Sequence, residues 1–257
     1  MVVSSSAFPQ KSDFNYRLKF LLRKLGLFPV SHAVYQKLSP AHRRDRFLNR
    51  RFYGQIVRRG DLCFDIGANV GQTVDALLQA DAVVVAVEPN PSCLPVLDYY
   101  FRHNRSVTIV NKALGASAGS GELHYTEAET TASMRADWPF PNRNVLEVEM
   151  TTVDALIAEF GVPQLLKVDV EGFELQVFKG LSQPIPLIYF EMHSHETDLA
   201  EAILDRLSQI GEIVDVNVIS GDHSRWLMDR SVSHDEFLAR LVQPLPRYAN
   251  VLVRMNS

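Results

Sequence analysis

The sequence has no run of the eighteen or so apolar residues that a membrane-spanning helix needs. Apolar stretches such as "AVVVAV" at 82–87 and "PLIYF" at 186–190 are the size of strands. The opening stretch "MVVSSSAFPQKSDF" lacks the apolar centre of a secretory signal, so a cytoplasmic protein is expected. Cysteine is scarce. Cys63 and Cys93 stand thirty residues apart, with no CxxC and no histidine at metal-site spacing. That excludes a disulfide framework and a zinc ribbon, and leaves two buried free thiols in a reducing compartment. No repeat and no low-complexity linker interrupts the chain.

With 257 residues, 46% of them hydrophobic and 22% charged, the chain suits one large α/β domain with an appendage. Its net charge of −4 conceals a division. Residues 1–60 hold thirteen Lys or Arg against Asp13 and Asp45, a balance of +11 on a body that carries −15. Such a segment either docks on its own acidic domain or meets an anionic partner, of which a membrane surface is one. Nucleic acid is not expected, because the segment carries no recognised motif and the body is acidic. Residues 1–55 are therefore read as a basic helical extension and 56–257 as the main domain. Within the extension, "FNYRLKFLLRKLGLF" at 14–28 spaces Phe14, Leu18, Leu21, Leu22 and Leu25 as a helical stripe, expected to cover a core. Ser39 and Pro40 then read as the cap and first residue of a second helix.

From Asp61 onward strands alternate with helices. Strands are expected at 61–66, 82–88, 107–111, 164–170 and 186–192, and helices at 70–79, 93–104, 152–160, 173–180 and 196–210. This is the pattern of a parallel sheet covered on both faces. Two further strands, 119–128 and 144–153, flank a long polar loop of the kind that often forms a lid. Strands at 212–220 and 248–254 close the fold as an antiparallel pair.

In such sheets ligands bind beyond the carboxyl ends of the strands. The first strand runs into "FDIGANVGQT" (64–73), where Gly67 and Gly71 permit close backbone approach. The spacing is GxxxG, without the GxGxxG of a dinucleotide site, and Asp65 would repel phosphate and attract an ammonium. The second strand ends in Glu88, where an acid can hold a ribose diol. Ribose with a cationic amino-acid tail and no phosphate describes S-adenosylmethionine.

"FDIGANVGQT", "AVEPNP", "NKALG", "TTVDAL", "LLKVDVEGFELQVFKG" and "YFEMH", in this order over about 61–193, resemble the FkbM family of S-adenosylmethionine-dependent methyltransferases. The resemblance implies a class I, Rossmann-like α/β sheet of seven mostly parallel strands with helices on both faces and the last strand antiparallel. It also implies O-methylation of a hydroxyl on a small molecule or glycan. Asp65, Gly67, Asn69 and Gly71 match the first cofactor motif, Glu88 the ribose-binding acid and Asn90 the residue after it. Asn111 and Ala113 match positions near the adenine.

The second constellation, "KVDVEGFELQ", places Asp169 and Glu171 at a strand tip beside the expected position of the transferred methyl. Asp169 is read as facing the methionine moiety or the acceptor, with Glu171 and His193 as candidates for the general base. Glu174 suits the start of a helix, and Lys167 suits a carboxylate partner. Asp169, Glu171 and His193 could also gather a divalent metal, a reading that their spacing does not favour over an acid–base pair. Arg135, Trp138 and Phe140 in the loop 126–143 are expected to cover the acceptor, with His223 and Trp226 on its far side. A nicotinamide-dependent oxidoreductase and a non-catalytic cofactor-binding scaffold remain as competing readings.

Overall fold

The polypeptide is described here by a computed structural model over residues 14–126, 131–138, 144–193, 197–221, 223, 225–240 and 248–256. Its elements in chain order are α1 (Phe14–Lys24), α2 (Phe28–Leu38), α3 (Pro40–Ile56), β1 (Leu62–Ile66), α4 (Gln72–Leu78), β2 (Val83–Val87), α5 (Leu94–Phe101), β3 (Val107–Val110), β4 (Ala113–Leu114) and β5 (Gly119–Tyr125). Then come β6 (Ala132–Ser133), β7 (Asn144–Thr151), α6 (Val153–Phe160), β8 (Leu165–Val168), α7 (Glu174–Lys179), β9 (Leu187–His193), α8 (Thr197–Ser208), β10 (Ile213–Ser220), α9 (His234–Arg240) and β11 (Tyr248–Met255).

Seven strands form the main sheet in the order β10-β11-β9-β8-β1-β2-β3. Every neighbouring pair is parallel except the two made by β11, which lies antiparallel between β9 and β10. The expected α/β sheet with an antiparallel last strand is thus present. Alternation along the strands divides the core. Phe64, Ile66, Leu166, Val168, Ile188 and Phe190 face one way and pack with Leu156, Phe178, Ile203 and Leu204 of α6, α7 and α8. Cys63, Val84, Ala86, Leu165 and Tyr189 face the other and meet Phe52 and Tyr53 of α3, Val74 and Leu77 of α4, and Leu97 and Phe101 of α5. Both cysteines are free and buried, as expected.

A second sheet, β4-β7-β5-β6, stands beside the first. The expected strands on either side of the long loop pair antiparallel, Gly119 opposite Met150. The loop itself contributes β6, whose two residues pair with His124 and Tyr125 of β5.

The N-terminal segment departs from expectation. The helix anticipated over 14–28 ends at Lys24, and Gly26 adopts φ +68 before α2 begins. Nothing in the sequence reading anticipated α2, whose Pro29 occupies the first turn where its missing N–H does no harm. Ser39 caps α3 as anticipated, its side chain accepting from the His42 amide, with Pro40 at the first helical position. No helix among the described residues is long and apolar enough to cross a membrane.

Candidate functional site

The carboxyl ends of β1, β2 and β8 open into a cleft of roughly 650 Å³, part of it in contact with solvent. Six of the anticipated residues line it: Gly67, Asn69, Glu88, Ala113, Asp169 and Glu171. Apolar wall comes from Ile66, Val87, Leu114, Leu123 and Phe173. The residues 131–134, which include β6, form the remaining side, so part of the anticipated lid is a wall of the cleft.

The turn after β1 is shaped by the protein's own backbone. Gly67 has φ +80, and a Cβ there would lie 1.8 Å from the Asp169 carbonyl oxygen. Gly71 has φ +85, and a Cβ would strike the Phe101 ring at 2.3 Å. Both glycines therefore serve contact between chain segments, and Gly71 stands outside the cleft lining. The amides of Gly67 and Ala68 both donate to the Val87 carbonyl, that of Asn69 to Glu88 and that of Gly71 to the Ala68 carbonyl. None of these four is left to cradle a pyrophosphate, which counts against a dinucleotide cofactor.

Glu88 is held from both sides. One carboxylate oxygen accepts from the Asn69 amide at 2.7 Å and the other from the Asn90 amide at 2.8 Å. Burial pushes its pKa up to about 7, with the two amides pulling the other way. Each oxygen keeps a second lone pair for a hydroxyl in the cleft. Asn90 itself is fully buried, and its side chain accepts from the Ser92 amide as the chain turns into α5. Asn111 is exposed and does not line the cleft, whereas the adjoining Lys112 and Ala113 do.

Asp65 occupies a different place from the one anticipated. Alternation along β1 points it at the α3–α4 face, where it is fully buried, and β8 sets Lys167 directly opposite. The Lys167 Nζ donates to Asp65 Oδ1 at 2.9 Å and lies 3.3 Å from Asp169 Oδ2. The ammonium that Asp65 attracts thus comes from the chain itself. Burial opposes the charge on Lys167, yet the Asp65 and Asp169 carboxylates hold its pKa above the ordinary value. Asp169, a third exposed, is the partner that reaches the cleft.

The loop after β8 presents Glu171 in a left-handed conformation, φ +55, of the kind that clusters at functional sites. Burial raises its pKa well above the carboxylate range. The charges of Asp169, Glu191 and Glu174 add to that shift, and Lys167 opposes it. Glu174, first residue of α7, accepts from the Val170 and Gly172 amides at 3.0 and 3.2 Å and so fixes this loop. Its pKa is pushed up by burial to about 7. Ser133 of β6 donates to the Glu171 carbonyl at 2.8 Å and ties the small sheet to the same loop. A Cβ on Gly172 would meet Trp138 at 2.5 Å and Arg135 at 2.8 Å, so these two side chains lie against the loop after β8, and neither lines the cleft. Phe140 falls outside the described residues.

His193 ends β9 opposite Tyr248, and its side chain is outside the description. His223 and Trp226 do not line the cleft. His223 stacks on Tyr189 with ring centroids 5.7 Å apart, and His223 and Trp226 both pack on Phe52 of α3. Among the described residues no three His, Cys, Asp or Glu side chains gather as a metal site. The carboxylate that sequence reasoning overlooked is Glu191. Lys167 and Tyr189 are in register, so two residues further on Asp169 and Glu191 emerge on one face.

The methyltransferase FkbM domain matches residues 65–215. The hexuronic acid methyltransferase AglP of Haloferax volcanii is 28% identical over 140 residues, 52% of this chain and 56% of that protein. The chain thus spans about half the length of this curated relative. Among solved structures, a TehB-like SAM-dependent methyltransferase from Corynebacterium glutamicum is 10% identical with a TM-score of 0.44, over 81% of this chain and 88% of that one. The precorrin-6y C5,15-methyltransferase of Geobacter metallireducens is 13% identical with a TM-score of 0.41, over 82% and 87%.

Proposed function

The chain belongs to the methyltransferase FkbM family, and from that premise we propose that it methylates a hydroxyl of a sugar, a glycan or a related small molecule using S-adenosylmethionine. The observation that carries the reading is one cleft lined by Glu88 from the tip of β2 and by Asp169 and Glu171 from the tip of β8. A sugar acceptor is favoured by the likeness to a hexuronic acid methyltransferase. In the same reading residues 56–257 form the methyltransferase domain and 1–55 a basic appendage.

The residues present fit the cofactor. Glu88, fixed by two amides, offers acceptors to a ribose diol, and the walls from Val87 to Leu114 suit a flat apolar base. When bound, S-adenosylmethionine supplies an electrophilic methyl group on a sulfonium. The chain's part is to orient the acceptor oxygen, take its proton and keep water away. Lys167 pins Asp169, and in this reading Asp169 orients the acceptor hydroxyl. In this reading Glu171, in the same cleft as Asp169, would take the acceptor's hydroxyl proton. In the same reading Arg135 and Trp138, which lie against Gly172, help to cover the acceptor.

Calorimetric titration with S-adenosylmethionine, its demethylated product and NADH, on the wild type and Glu88→Gln, tests the cofactor assignment. Binding of the first two, weakened by the substitution, is the expected result. Mass spectrometry after incubation with uronic acids and neutral sugars then tests the acceptor. Binding of NADH alone would overturn the reading, and cofactor binding without methylation of any hydroxyl would leave a scaffold protein.

A further inference from the structure

The helix α1 is set on the body with its polarity reversed. At about 100° per residue, Phe14, Leu18, Leu21 and Leu25 fall within a sector of roughly 60°. All four are exposed, between 42 and 75%. The side turned toward the body instead carries Arg23, which donates to the Ser92 carbonyl and lies 3.7 Å over the Phe28 ring. Only Leu22 of the anticipated stripe packs against buried residues, so the core-covering role expected of that stripe is not what the structure shows. On α2, Val30, Val34 and Leu38 follow one another at helical spacing and are likewise exposed.

This apolar surface stands in a field of one sign. Residues 14–56 contain ten Lys or Arg and a single acid, Asp45. Arg46 and Arg50 reach Asp75 of α4 and fasten α3 to the body. Lys24, Lys37, Arg43 and Arg51 belong to the outer surface. Two copies meeting through this face would press cations against cations. A nucleic acid would meet the charge but leave the leucines without a partner. An anionic bilayer satisfies both, because headgroup phosphates meet the cations while the leucines enter the acyl boundary. Residues 61–257, at −15, are repelled by the same surface and set the orientation.

We propose that α1 and α2 form a docking face for an anionic lipid surface. On the opposite side of α1, Arg23 fastens the helix to the loop that begins at Glu88 and so holds the apolar face outward.

The full-length protein is tested by co-sedimentation with vesicles of equal parts phosphatidylcholine and phosphatidylglycerol, and with phosphatidylcholine alone. Leu18→Gln/Leu21→Gln is compared with the wild type after circular dichroism confirms an unchanged fold. Binding to the anionic vesicles is expected to weaken about tenfold or more in the variant and in raised salt. Failure to sediment with either vesicle overturns the proposal, as does equal binding to both. A dimer in analytical ultracentrifugation that the same variant dissolves overturns it in favour of a second copy.

Discussion

Replacing Lys167 by methionine removes the ammonium between Asp65 and Asp169 and leaves Asp65 buried with no counter-charge. At 2.9 Å and an effective dielectric of 20, the attraction to Asp65 is about 6 kcal/mol before the cost of burying both ions. The pair as a whole is worth far less, since desolvation offsets most of that, but breaking it costs about 3–5 kcal/mol. An independent limit comes from protonation. The stranded Asp65 escapes its charge by binding a proton, which at pH 7 costs about 1.4 kcal/mol for each of the roughly three units above its ordinary pKa, or about 4 kcal/mol. The two estimates agree. Because the variant's folded state then binds a proton that the unfolded state does not, its stability falls as pH rises above about 4. Urea unfolding followed by circular dichroism at pH 5 and pH 7 reads both quantities. The expected deficit is about 4 kcal/mol at pH 7 and about 1–2 at pH 5, and Asp65→Asn/Lys167→Met should recover most of the loss. A deficit below about 1 kcal/mol, or one that does not change with pH, would refute the view that Lys167 is there to neutralise Asp65.

Glu174 has a folded pKa raised to about 7 from 4.5, so its contribution to stability is lost as pH climbs through that interval. Glu174→Gln, which keeps an oxygen for the Val170 and Gly172 amides, should flatten the stability profile over that range by on the order of 2–3 kcal/mol in thermal or urea unfolding. Gly67→Ala drives a Cβ into the Asp169 carbonyl and should cost more than about 3 kcal/mol. Gly172→Ala is also strained by φ +87 but meets only the side chains of Trp138 and Arg135, and should cost more than about 1 kcal/mol yet less than Gly67→Ala, while raising KM for the acceptor; equal melting losses for the two would contradict the assigned contacts. Glu171→Gln should lower kcat by about 10²- to 10³-fold with cofactor affinity unchanged in calorimetry, and a rate close to wild type would remove Glu171 as the base.

The sequence was most legible where local pattern carries the information. Alternating strands and helices gave the sheet and its antiparallel last strand, and Ser39 with Pro40 marked a helix start that the structure reproduces. Glu88, Asp169 and Glu171 were found from their positions at strand tips, and all three line one cleft. His223 and Trp226 were misplaced because an aromatic pair late in a chain carries no signal of which core it joins. Glu191 was overlooked because its nearness to Asp169 depends on the register of two strands.

The sequence alone determined the alternating strands and helices from Asp61 onward and the chemistry available at each strand tip, because period, turn residues and caps act over a few residues. Only the tertiary structure decided which partner each charge meets and which way each stripe points. Asp65 finds its ammonium 102 residues away at Lys167. The leucines of α1 have the same spacing whether they face the core or the solvent, and the side on which the body lies is set by Arg23 and its distant contact with Ser92. Helical spacing fixes the angle between side chains, whereas orientation and pairing come from packing between segments far apart in the chain.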